Sequence, residues 1–403
     1  MKYIIVLGDG MADEPIEELG GKTPIEYADT PAMDRLAPLS EVGLAATIPD
    51  GMKPGSDTAN LAVLGYNPKK YYTGRSPLEA LSIGVDMKAT DIALRCNIVT
   101  LSEEDVPYEE RTILDHSSDE ISTEDAAVLL DAVKEVFENE IYHFYVGTSY
   151  RHLLIWDNGK VVELTPPHDV LTQKIGKHLP EDEMLKEMMK KSFDILNHHP
   201  LNEKRAAQGK NKANSLWFWG AGTRPALSSF YDKTGKKGAM ISAVDLLKGI
   251  AVGAGMRNIE VPGANGGLNT NYEGKAEAGV KALLEEGADF VYIHVEAPDE
   301  MGHQGSVERK VKAIEYLDQR LIRIVAGEMD RSGEDYRLLI MPDHPTPISC
   351  RTHVSDPVPY LLYDSRKNAG QGLLYSEANG KKSGILIKDG YKMIDRLLQD
   401  LSR

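Results

Sequence analysis

The chain has 403 residues and a formal charge of −16 at neutral pH, from 46 Lys and Arg against 62 Asp and Glu. Its length allows one large or two ordinary domains, and a hydrophobic content of 41% allows a sizeable core. Because no basic stripe offsets the acidic excess, the composition argues against nucleic acid as a partner. A small phosphorylated substrate stays possible, since a few arginines and metal ions in a cleft overcome a distant negative surface.

Cysteine content and hydropathy address the cellular compartment. The two cysteines, Cys96 and Cys350, allow one disulfide but not a disulfide framework. The first apolar run, "YIIVL", is too short for the apolar region of a signal peptide. No run approaches the roughly 18–20 apolar residues of a membrane span. We therefore expect a cytoplasmic protein without a membrane partner, and the oligomeric state stays open.

Strand-like apolar runs alternate with amphipathic helices, which predicts an α/β fold with a mostly parallel sheet flanked by helices. In the first half we predict a strand over 3–7, helices over 31–39, 57–65 and 123–137, and two strands within 141–157. In the second half we predict strands over 216–220, 237–242, 289–299 and 336–344, and helices over 243–255, 272–287 and 306–329.

The amino-acid composition of the chain changes after about residue 106, where an acidic stretch begins. It changes back near residue 213, after the polar stretch "LNEKRAAQGKNKANS". We therefore predict a smaller α/β domain over 106–213, inserted into a discontinuous catalytic domain made of 1–105 and 214–403.

Three predicted strands end in residues that bind metal ions in proteins. Asp9 follows the first strand, and Asp299 ends "DFVYIHVEAPD". Asp343 and His344 end "YRLLIMPDH". Ligands of open α/β sheets bind at the carboxyl ends of strands, so these side chains are expected to converge. An aspartate at a strand end is by itself often only a turn residue, so the hypothesis rests on the combination.

The spacing within these motifs favours two metal ions. Asp299 and His303 are four residues apart and share one face if that turn is helical. The adjacent Asp343 and His344 diverge, which suits bridging two nearby metals better than chelating one. His353 in "CRTHVSDPVP" adds another imidazole. Such a set suits Mn²⁺, Zn²⁺, Fe or Mg²⁺, and two-metal sites stabilise the attacking and leaving oxygens of phosphoryl transfer.

Ser56 begins the predicted helix in "PGSDTANLAVLGY". By itself it is more often a plain N-cap than a nucleophile. A nearby metal ion activates a serine hydroxyl, and a helix N-terminus favours the negative charge of its phosphorylated form. Both interpretations stay open from the residues alone.

A combination of motifs resembles the archaeal-type 2,3-bisphosphoglycerate-independent phosphoglycerate mutases of the alkaline phosphatase-like metalloenzyme superfamily. The motifs are "GDGMAD", "PGSDTANLAVLGY", "YYTGRSPLEA", "RCNIVT", "SYRHLL", "APDEMGHQG" and "MPDH". The resemblance covers essentially the whole chain and is weakest between about 102 and 122. It implies an alkaline phosphatase-like core and a lid domain that carries substrate-binding residues and excludes water.

The resemblance also implies the chemistry. Ser56 would take the phosphoryl group of 3-phosphoglycerate, and the resulting phosphoserine would return it to the other hydroxyl, giving 2-phosphoglycerate. Two divalent ions are implied, Mn²⁺ first, with Mg²⁺, Zn²⁺ or Co²⁺ as alternatives. One ion would be held by Asp9, Ser56, Asp343 and His344, and the other by Asp299, His303 and His353.

Substrate-binding candidates come from the motifs of the first half. They are Arg75, Arg95, Asn97, Arg151, Arg205 and Lys210. Arginines bind carboxylate or phosphate through paired hydrogen bonds, and each of these residues has a structural ion pair or a solvated loop as its alternative. His152 is a candidate acid for the leaving alkoxide, with a half-buried strand histidine as the alternative.

One segment departs from the family pattern. "ERTILDHSSDEIS" contains only Arg111 where the archaeal mutases carry an Arg-Arg-Ala-Gly-Arg type segment. Some bacterial relatives have been assigned homoserine kinase activity, so a homoserine kinase-like phosphotransferase is the alternative, and a phosphohydrolase is a third. The chain lacks a Walker-type loop, which weakens a conventional kinase. A non-catalytic binding protein is disfavoured because all seven candidate ligand positions carry competent residues.

Overall fold

The computed structural model describes residues 1–368 and 370–399. The chain forms two compact units, one made of Met1–Tyr72 with Ala226–Arg403 and the other of Thr73–Pro225. No helix within the described residues is long and apolar enough to cross a membrane. Cys96 is buried and Cys350 is exposed, and both are free thiols.

Strands and helices alternate along most of the chain. The strands are β1 (Lys2–Gly8), β2 (Glu41–Ala45), β3 (Ile92–Leu101), β4 (Ile113–Asp115), β5 (Tyr142–Thr148), β6 (Arg151–Trp156), β7 (Ser215–Thr223), β8 (Gly238–Ile241), β9 (Arg257–Asn258), β10 (Phe290–Val295), β11 (Tyr336–Met341), β12 (Val358–Asp364) and β13 (Leu386–Ile387). The α-helices are α1 (Pro24–Tyr27), α2 (Pro31–Leu36), α3 (Ser56–Val63), α4 (Pro68–Tyr71), α5 (Arg75–Ser82), α6 (Thr123–Phe137), α7 (Glu183–Leu196), α8 (Pro200–Ala207), α9 (Phe230–Thr234), α10 (Asp245–Gly253), α11 (Tyr272–Leu284), α12 (Ala297–His303), α13 (Val307–Leu317), α14 (Arg323–Ser332), α15 (Glu377–Lys382) and α16 (Met393–Leu398).

The first unit is built on a mixed sheet in the order β13-β2-β12-β11-β1-β10-β8-β9. All neighbouring strands are parallel except on the two sides of β12, so the predicted mostly parallel sheet is confirmed. β1 lies between β10 and β11 and is apolar on both faces, as a strand covered by helices on both sides must be. This central position places the end of β1 beside the ends of its two neighbours.

The long helix predicted over 306–329 is interrupted in the structure. A π-helical turn, Asp318–Ile322, separates α13 from α14. Within this turn, the buried carboxylate of Asp318 accepts hydrogen bonds from the amides of Ala32, at 3.0 Å, and Met33, at 2.7 Å. These amides have no partner inside their own helix because they begin α2, so the acidic side chain satisfies them. The interruption therefore joins two elements distant in sequence, which apolar periodicity does not reveal.

The second unit contains a smaller antiparallel sheet. Its order is β4-β3-β6-β5, and β7 also pairs with β3. The helix predicted over 123–137 and the two strands predicted within 141–157 are present as α6, β5 and β6. The unit begins at Thr73 and ends at Pro225, outside the predicted limits of 106 and 213. The limits differ because β3, assigned by sequence to the catalytic domain, pairs with both β6 and β7.

A buried ion pair ties β11 to β12 in the first unit. Arg337 Nε lies 2.8 Å from Asp364 Oδ2, and both side chains are about 95% buried. Burial alone would raise the pKa of Asp364, but hydrogen bonds from Arg366 and Arg337 lower it to about 2. The carboxylate is therefore ionised over the whole physiological pH range.

Candidate functional site

The strand-end residues of the first unit lie together at the carboxyl edge of its sheet. The pairing of β1 with β10 and β11 sets Leu7 beside His294 and Met341, so the three strands end at the same level. Asp9 directly follows β1, and Asp343 follows β11. The short helix α12 follows β10 and carries the third carboxylate. This parallel arrangement brings together residues that are more than 300 positions apart.

The first cluster contains Asp9, Ser56, Asp343 and His344. His344 Nε2 lies 3.4 Å from Asp9 Oδ1 and 3.4 Å from Asp343 Oδ2. Ser56 Oγ lies 3.1 Å from His344 Nε2 and 3.3 Å from Asp9 Oδ2. Asp343 and His344 are fully buried, and Asp9 is nearly so. The four residues predicted to hold one metal therefore surround a common point.

Ser56 is the first residue of α3 and not its N-cap. The capping position belongs to Gly55, and no side chain caps this helix. The Ser56 hydroxyl points instead to Asp9 and His344. An N-cap side chain would accept a backbone amide two or three residues ahead. The plain capping interpretation of Ser56 is therefore wrong.

The second cluster contains Asp299, His303 and His353. Asp299 and His303 both lie on α12, and His303 Nε2 is 3.1 Å from Asp299 Oδ2, so the predicted shared helical face is present. His353 Nε2 lies 3.3 Å from Asp299 Oδ1 and 3.0 Å from His303 Nε2. All three side chains thus present nitrogen or oxygen atoms to one another, and Asp299 and His353 also form a group with His344 whose ligand atoms lie within 4.8 Å of one another.

His344 lies within reach of both clusters. Its imidazole belongs to a group with Asp9 and Asp343 and to another with Asp299 and His353, and in each group the ligand atoms lie within 4.8 Å of one another. The ring centroids of His344 and His353 are 4.0 Å apart. His344 therefore contacts residues of both clusters. The predicted divergence of Asp343 and His344 is wrong, because His344 Nε2 lies 3.4 Å from Asp343 Oδ2.

The pKa shifts and the burial of the clustered carboxylates fit a site that binds cations. Burial, followed by the charges of Asp343 and Asp299, raises the pKa of Asp9 well above its usual value. In the second cluster burial opposes ionisation of Asp299, but hydrogen bonds from His303 and His353 hold its pKa well below its usual value. Asp9 Oδ1 is buried and has no hydrogen-bond partner among the described residues. A buried carboxylate oxygen without a donor, inside a group of acids, fits a metal ligand.

Gly10 permits the close approach of the two clusters. Its φ of +60° lies in the left-handed region. A Cβ built on it would lie 2.5 Å from Asp299 Oδ1 and 2.5 Å from Thr346 Oγ1, far inside contact distance. The Gly10 amide also donates to Asp343 Oδ1 at 3.1 Å. Any other residue here would be strained and would displace Asp299.

Several supporting residues escaped the sequence analysis. Asn60 donates to Asp343 Oδ2 at 2.9 Å and accepts a hydrogen bond from the Tyr292 hydroxyl. Thr346 Oγ1 donates to Asp299 Oδ1. His294 lies 2.8 Å from Asp9. A signal existed for His294, a lone histidine within the apolar run "FVYIHV", and for Asn60, one helical turn after Ser56.

In the second unit, three of the predicted substrate-binding arginines surround Glu79. Arg95 Nε donates to Glu79 Oε2 at 2.8 Å, and Arg75 Nε lies 3.3 Å from Glu79 Oε1. Burial alone would raise the pKa of Glu79, but the charges of Arg95, Arg75 and Arg151 lower it. Three predicted substrate-binding arginines thus lie near one carboxylate.

Arg95 and Asn97 share a further partner. The Arg95 guanidinium lies 4.5 Å from the centre of the Trp219 ring. The Trp219 indole nitrogen donates to Asn97 Oδ1 at 3.0 Å. Alternation along β3 puts Arg95 and Asn97 on the same face of the sheet. These two candidates are therefore held in one polar group.

Two other candidates lie elsewhere in the second unit. Arg205 is buried, and its guanidinium donates to the carbonyls of Asn211, at 3.1 Å, and Ser118, at 2.7 Å. These hydrogen bonds give Arg205 a structural role, because they join its helix to the segments that contain Asn211 and Ser118. Lys210 is exposed beyond the end of α8. The structure does not bring either residue together with the group around Glu79.

His152 does not fit its predicted role as an acid. Its register with Cys96 puts it on the opposite face of the sheet from Arg95. It is 1% exposed, and burial lowers its pKa to about 4. Its Nδ1 accepts a hydrogen bond from the Gly147 amide at 3.1 Å. An imidazole enclosed in this way is neutral at neutral pH, and its Nε2 has no hydrogen-bond partner among the described residues.

Comparisons with known proteins cover almost the whole chain. A family model for 2,3-bisphosphoglycerate-independent phosphoglycerate mutase matches residues 37–202. A 2,3-bisphosphoglycerate-independent phosphoglycerate mutase of Methanosarcina barkeri is 48% identical over 391 residues, which is 96% of each chain. A probable enzyme of the same name from Geobacter sulfurreducens is 46% identical, over 99% of this chain and 100% of the other. Among solved structures, the cofactor-independent phosphoglycerate mutase of Thermoplasma acidophilum has a TM-score of 0.68 and 26% identity, over 99% of both chains.

Proposed function

Because the chain belongs to the family of 2,3-bisphosphoglycerate-independent phosphoglycerate mutases, we propose that it interconverts 3-phosphoglycerate and 2-phosphoglycerate through a phosphoserine at Ser56. The relatives that carry this name match nearly the full length at 46–48% identity. The homoserine kinase-like alternative and the phosphohydrolase are not favoured by them. One observation supports the role of Ser56. This residue begins a helix, and its hydroxyl faces Asp9 and His344.

The reaction consists of two phosphoryl transfers. Ser56 Oγ attacks the phosphorus of 3-phosphoglycerate, and the bond from phosphorus to the C3 oxygen breaks. The C2 hydroxyl of the bound glycerate then attacks phosphoserine, and the bond from phosphorus to Ser56 Oγ breaks. The proton that Ser56 loses in the first transfer is matched by one gained at the C3 oxygen, and the C2 hydroxyl proton is matched at Ser56. No bisphosphoglycerate is consumed.

Two divalent ions, Mn²⁺ in the first instance, are proposed as cofactors. Asp9, Ser56, Asp343 and His344 would hold one ion, and Asp299, His303 and His353 the other, with His344 near both. Such ions lower the pKa of a serine hydroxyl and neutralise charge on the transferring phosphoryl group. The α3 N-terminus contributes further, since the positive end of a helix dipole favours the charge of phosphoserine.

The second unit is proposed to supply substrate-binding side chains and to act as a lid. The arginines around Glu79 support this role, because the substrate carries a carboxylate and a phosphate and arginine pairs with both. Exclusion of water is needed for a mutase, since hydrolysis of phosphoserine would release inorganic phosphate. Arg151→Ala is expected to raise the KM for phosphoglycerate and to increase phosphate release per turnover. An unchanged KM and an unchanged phosphate release would contradict this role.

The first experiment is a coupled assay for 2-phosphoglycerate formation with Mn²⁺ and without bisphosphoglycerate. An EDTA-treated sample measures the metal requirement, and a parallel sample contains ATP and homoserine. We expect metal-dependent mutase turnover and no phosphohomoserine. Phosphohomoserine with no mutase turnover would mean that the phosphotransfer centre is right and the substrate is wrong.

The second experiment tests Ser56 directly. Ser56→Ala is expected to abolish turnover, and Thr58→Ala on the same helix is the matched control. Rapid quenching of the wild-type enzyme with 3-phosphoglycerate, followed by peptide mass spectrometry, should place one phosphoryl group on the peptide that contains Ser56. Substantial turnover by Ser56→Ala would exclude the phosphoserine mechanism.

A further inference from the structure

His294 is a fully buried histidine of β10 that is not among the proposed metal ligands. Its Nε2 lies 2.8 Å from Asp9 Oδ2. Its Nδ1 lies 3.2 Å from the hydroxyl of Ser242, which follows β8. A polar ring inside a central strand is costly unless both nitrogens are satisfied, and here each nitrogen has one partner.

The partners of both ring nitrogens indicate which one carries the proton, since the Asp9 carboxylate next to Nε2 can only accept a hydrogen bond. Ser242 Oγ accepts the amide hydrogen of Val244 at 3.0 Å, so its own hydroxyl hydrogen is available for His294 Nδ1. Nδ1 then acts as acceptor, and the imidazole hydrogen resides on Nε2, which donates to the Asp9 carboxylate. The hydrogen bonds therefore run from the Ser242 hydroxyl to His294 Nδ1, and from His294 Nε2 to the Asp9 carboxylate.

The hydrogen bond from His294 gives the two carboxylate oxygens of Asp9 different surroundings. Oδ2 receives the hydrogen bond of His294 and lies 3.3 Å from Ser56 Oγ. Oδ1 is buried without a donor among the described residues and lies 3.4 Å from His344 Nε2. We propose that His294, oriented by Ser242, is a positioning residue that holds Asp9 so that Oδ1 is the oxygen offered to the metal.

A second contact fixes the strand behind His294. The Lys275 ammonium is fully buried and donates to the carbonyl oxygen of His294 at 2.9 Å. The backbone and the ring of His294 are thus both held by neighbouring elements, α11 and β8. A ring held at both ends transmits its orientation to the carboxylate that it contacts, as partners of metal ligands commonly do.

The test compares Mn²⁺ affinity, which does not depend on turnover. Free Mn²⁺ is measured by electron paramagnetic resonance during titration of the metal-free protein. His294→Leu, which removes the donor at similar volume, is expected to weaken one Mn²⁺ equivalent by about 10–100-fold. The other equivalent, assigned to Asp299, His303 and His353, should keep its affinity. The Mn²⁺ activation curve of the mutase should shift to higher concentration by the same factor, with KM for phosphoglycerate unchanged.

Three further variants separate positioning from simple packing. In His294→Gln the side-chain amide reaches the place of Nε2 and should retain most of the affinity, whereas His294→Asn is too short and should not. Ser242→Ala should give a smaller loss than His294→Leu, because it removes only the group that orients the ring. His152→Leu removes another buried strand histidine, in the second unit, and should leave Mn²⁺ affinity unchanged.

The inference rests on the proposed metal site, and the outcomes distinguish the two. If the wild-type protein binds no Mn²⁺, the metal site and the role of His294 both fail. If the wild type binds Mn²⁺ and His294→Leu binds it equally well, only the role of His294 fails. Equal losses in His294→Gln and His294→Asn would also overturn it, because they would show that packing and not the donor matters. This comparison decides the point even if His294→Leu does not fold.

Discussion

Replacing Lys310 should cost the first unit stability without removing a proposed ligand. It lies on α13, and its side chain is fully buried. The ammonium donates to Asp13 Oδ2 at 2.8 Å, to the Thr346 carbonyl at 2.8 Å and to the Ala12 carbonyl at 3.3 Å. It therefore joins the loop after β1 to the loop after β11, the two loops that carry Asp9 and His344.

The expected cost of Lys310→Met follows from what remains behind. Methionine fills the space of the lysine stem, so little packing is lost. The Asp13 carboxylate, 1% exposed, loses its counter-charge, although it keeps amide donors from Glu14 and Ile348. Breaking a buried ion pair at one partner costs about 3–5 kcal/mol of unfolding free energy. We expect a loss in this range.

The measurement is urea unfolding followed by far-ultraviolet circular dichroism at pH 7. Lys312→Met, on the same helix but half exposed and paired with Glu315, is the matched control and should stay within about 0.5 kcal/mol of the wild type. Adding Asp13→Asn to Lys310→Met removes the unpaired charge and should recover part of the loss. A loss below about 1 kcal/mol for Lys310→Met, or no recovery in the double variant, would refute the reasoning on buried charge.

Three other perturbations test the first unit. Gly10→Ala should abolish Mn²⁺ binding and turnover, because alanine at this positive φ is strained and its Cβ would overlap Asp299 and Thr346. Gly21→Ala, also at positive φ but with open space around it, is the control. Retention of Mn²⁺ binding by Gly10→Ala would contradict the packing argument. Asn60→Ala should weaken Mn²⁺ binding more than Tyr292→Phe does, because only Asn60 donates to Asp343; equal effects would assign the loss to packing. Asp364 stabilises the fold while it is ionised, and its pKa falls from 3.8 to about 2 on folding. The free energy of unfolding should therefore drop by up to about 2 kcal/mol as pH falls from 4 to 2. Asp364→Asn should flatten that part of the acid unfolding curve.

The sequence alone determined the identity of the proposed metal-binding residues. The Asp299 and His303 pair, one helical turn apart, is readable from local spacing, and the full set is implied by the family resemblance. Their convergence followed from a general rule, since parallel strands of one sheet present their carboxyl ends at one edge. The order of the sheet itself was not needed for that prediction.

Pairings between distant strands were not available from local patterns. β3 is mostly apolar, and this pattern describes equally well a strand of the large sheet and the central strand of the smaller one. Only its pairing with β6 and β7 assigns it to the second unit and moves the limits of that unit to Thr73 and Pro225. The same alternation that turns Arg95 toward Glu79 turns His152 into the interior.

What the tertiary structure decided is which polar groups meet. His294 stands out in sequence only as a lone histidine in an apolar strand and Asn60 only by its spacing from Ser56, and they become partners of Asp9 and Asp343 only through folding. Hydrogen bonds between residues hundreds of positions apart leave no periodic trace in the chain. The sequence therefore shows which residues can perform the chemistry, and the packing of the strands decides which residues hold them in place.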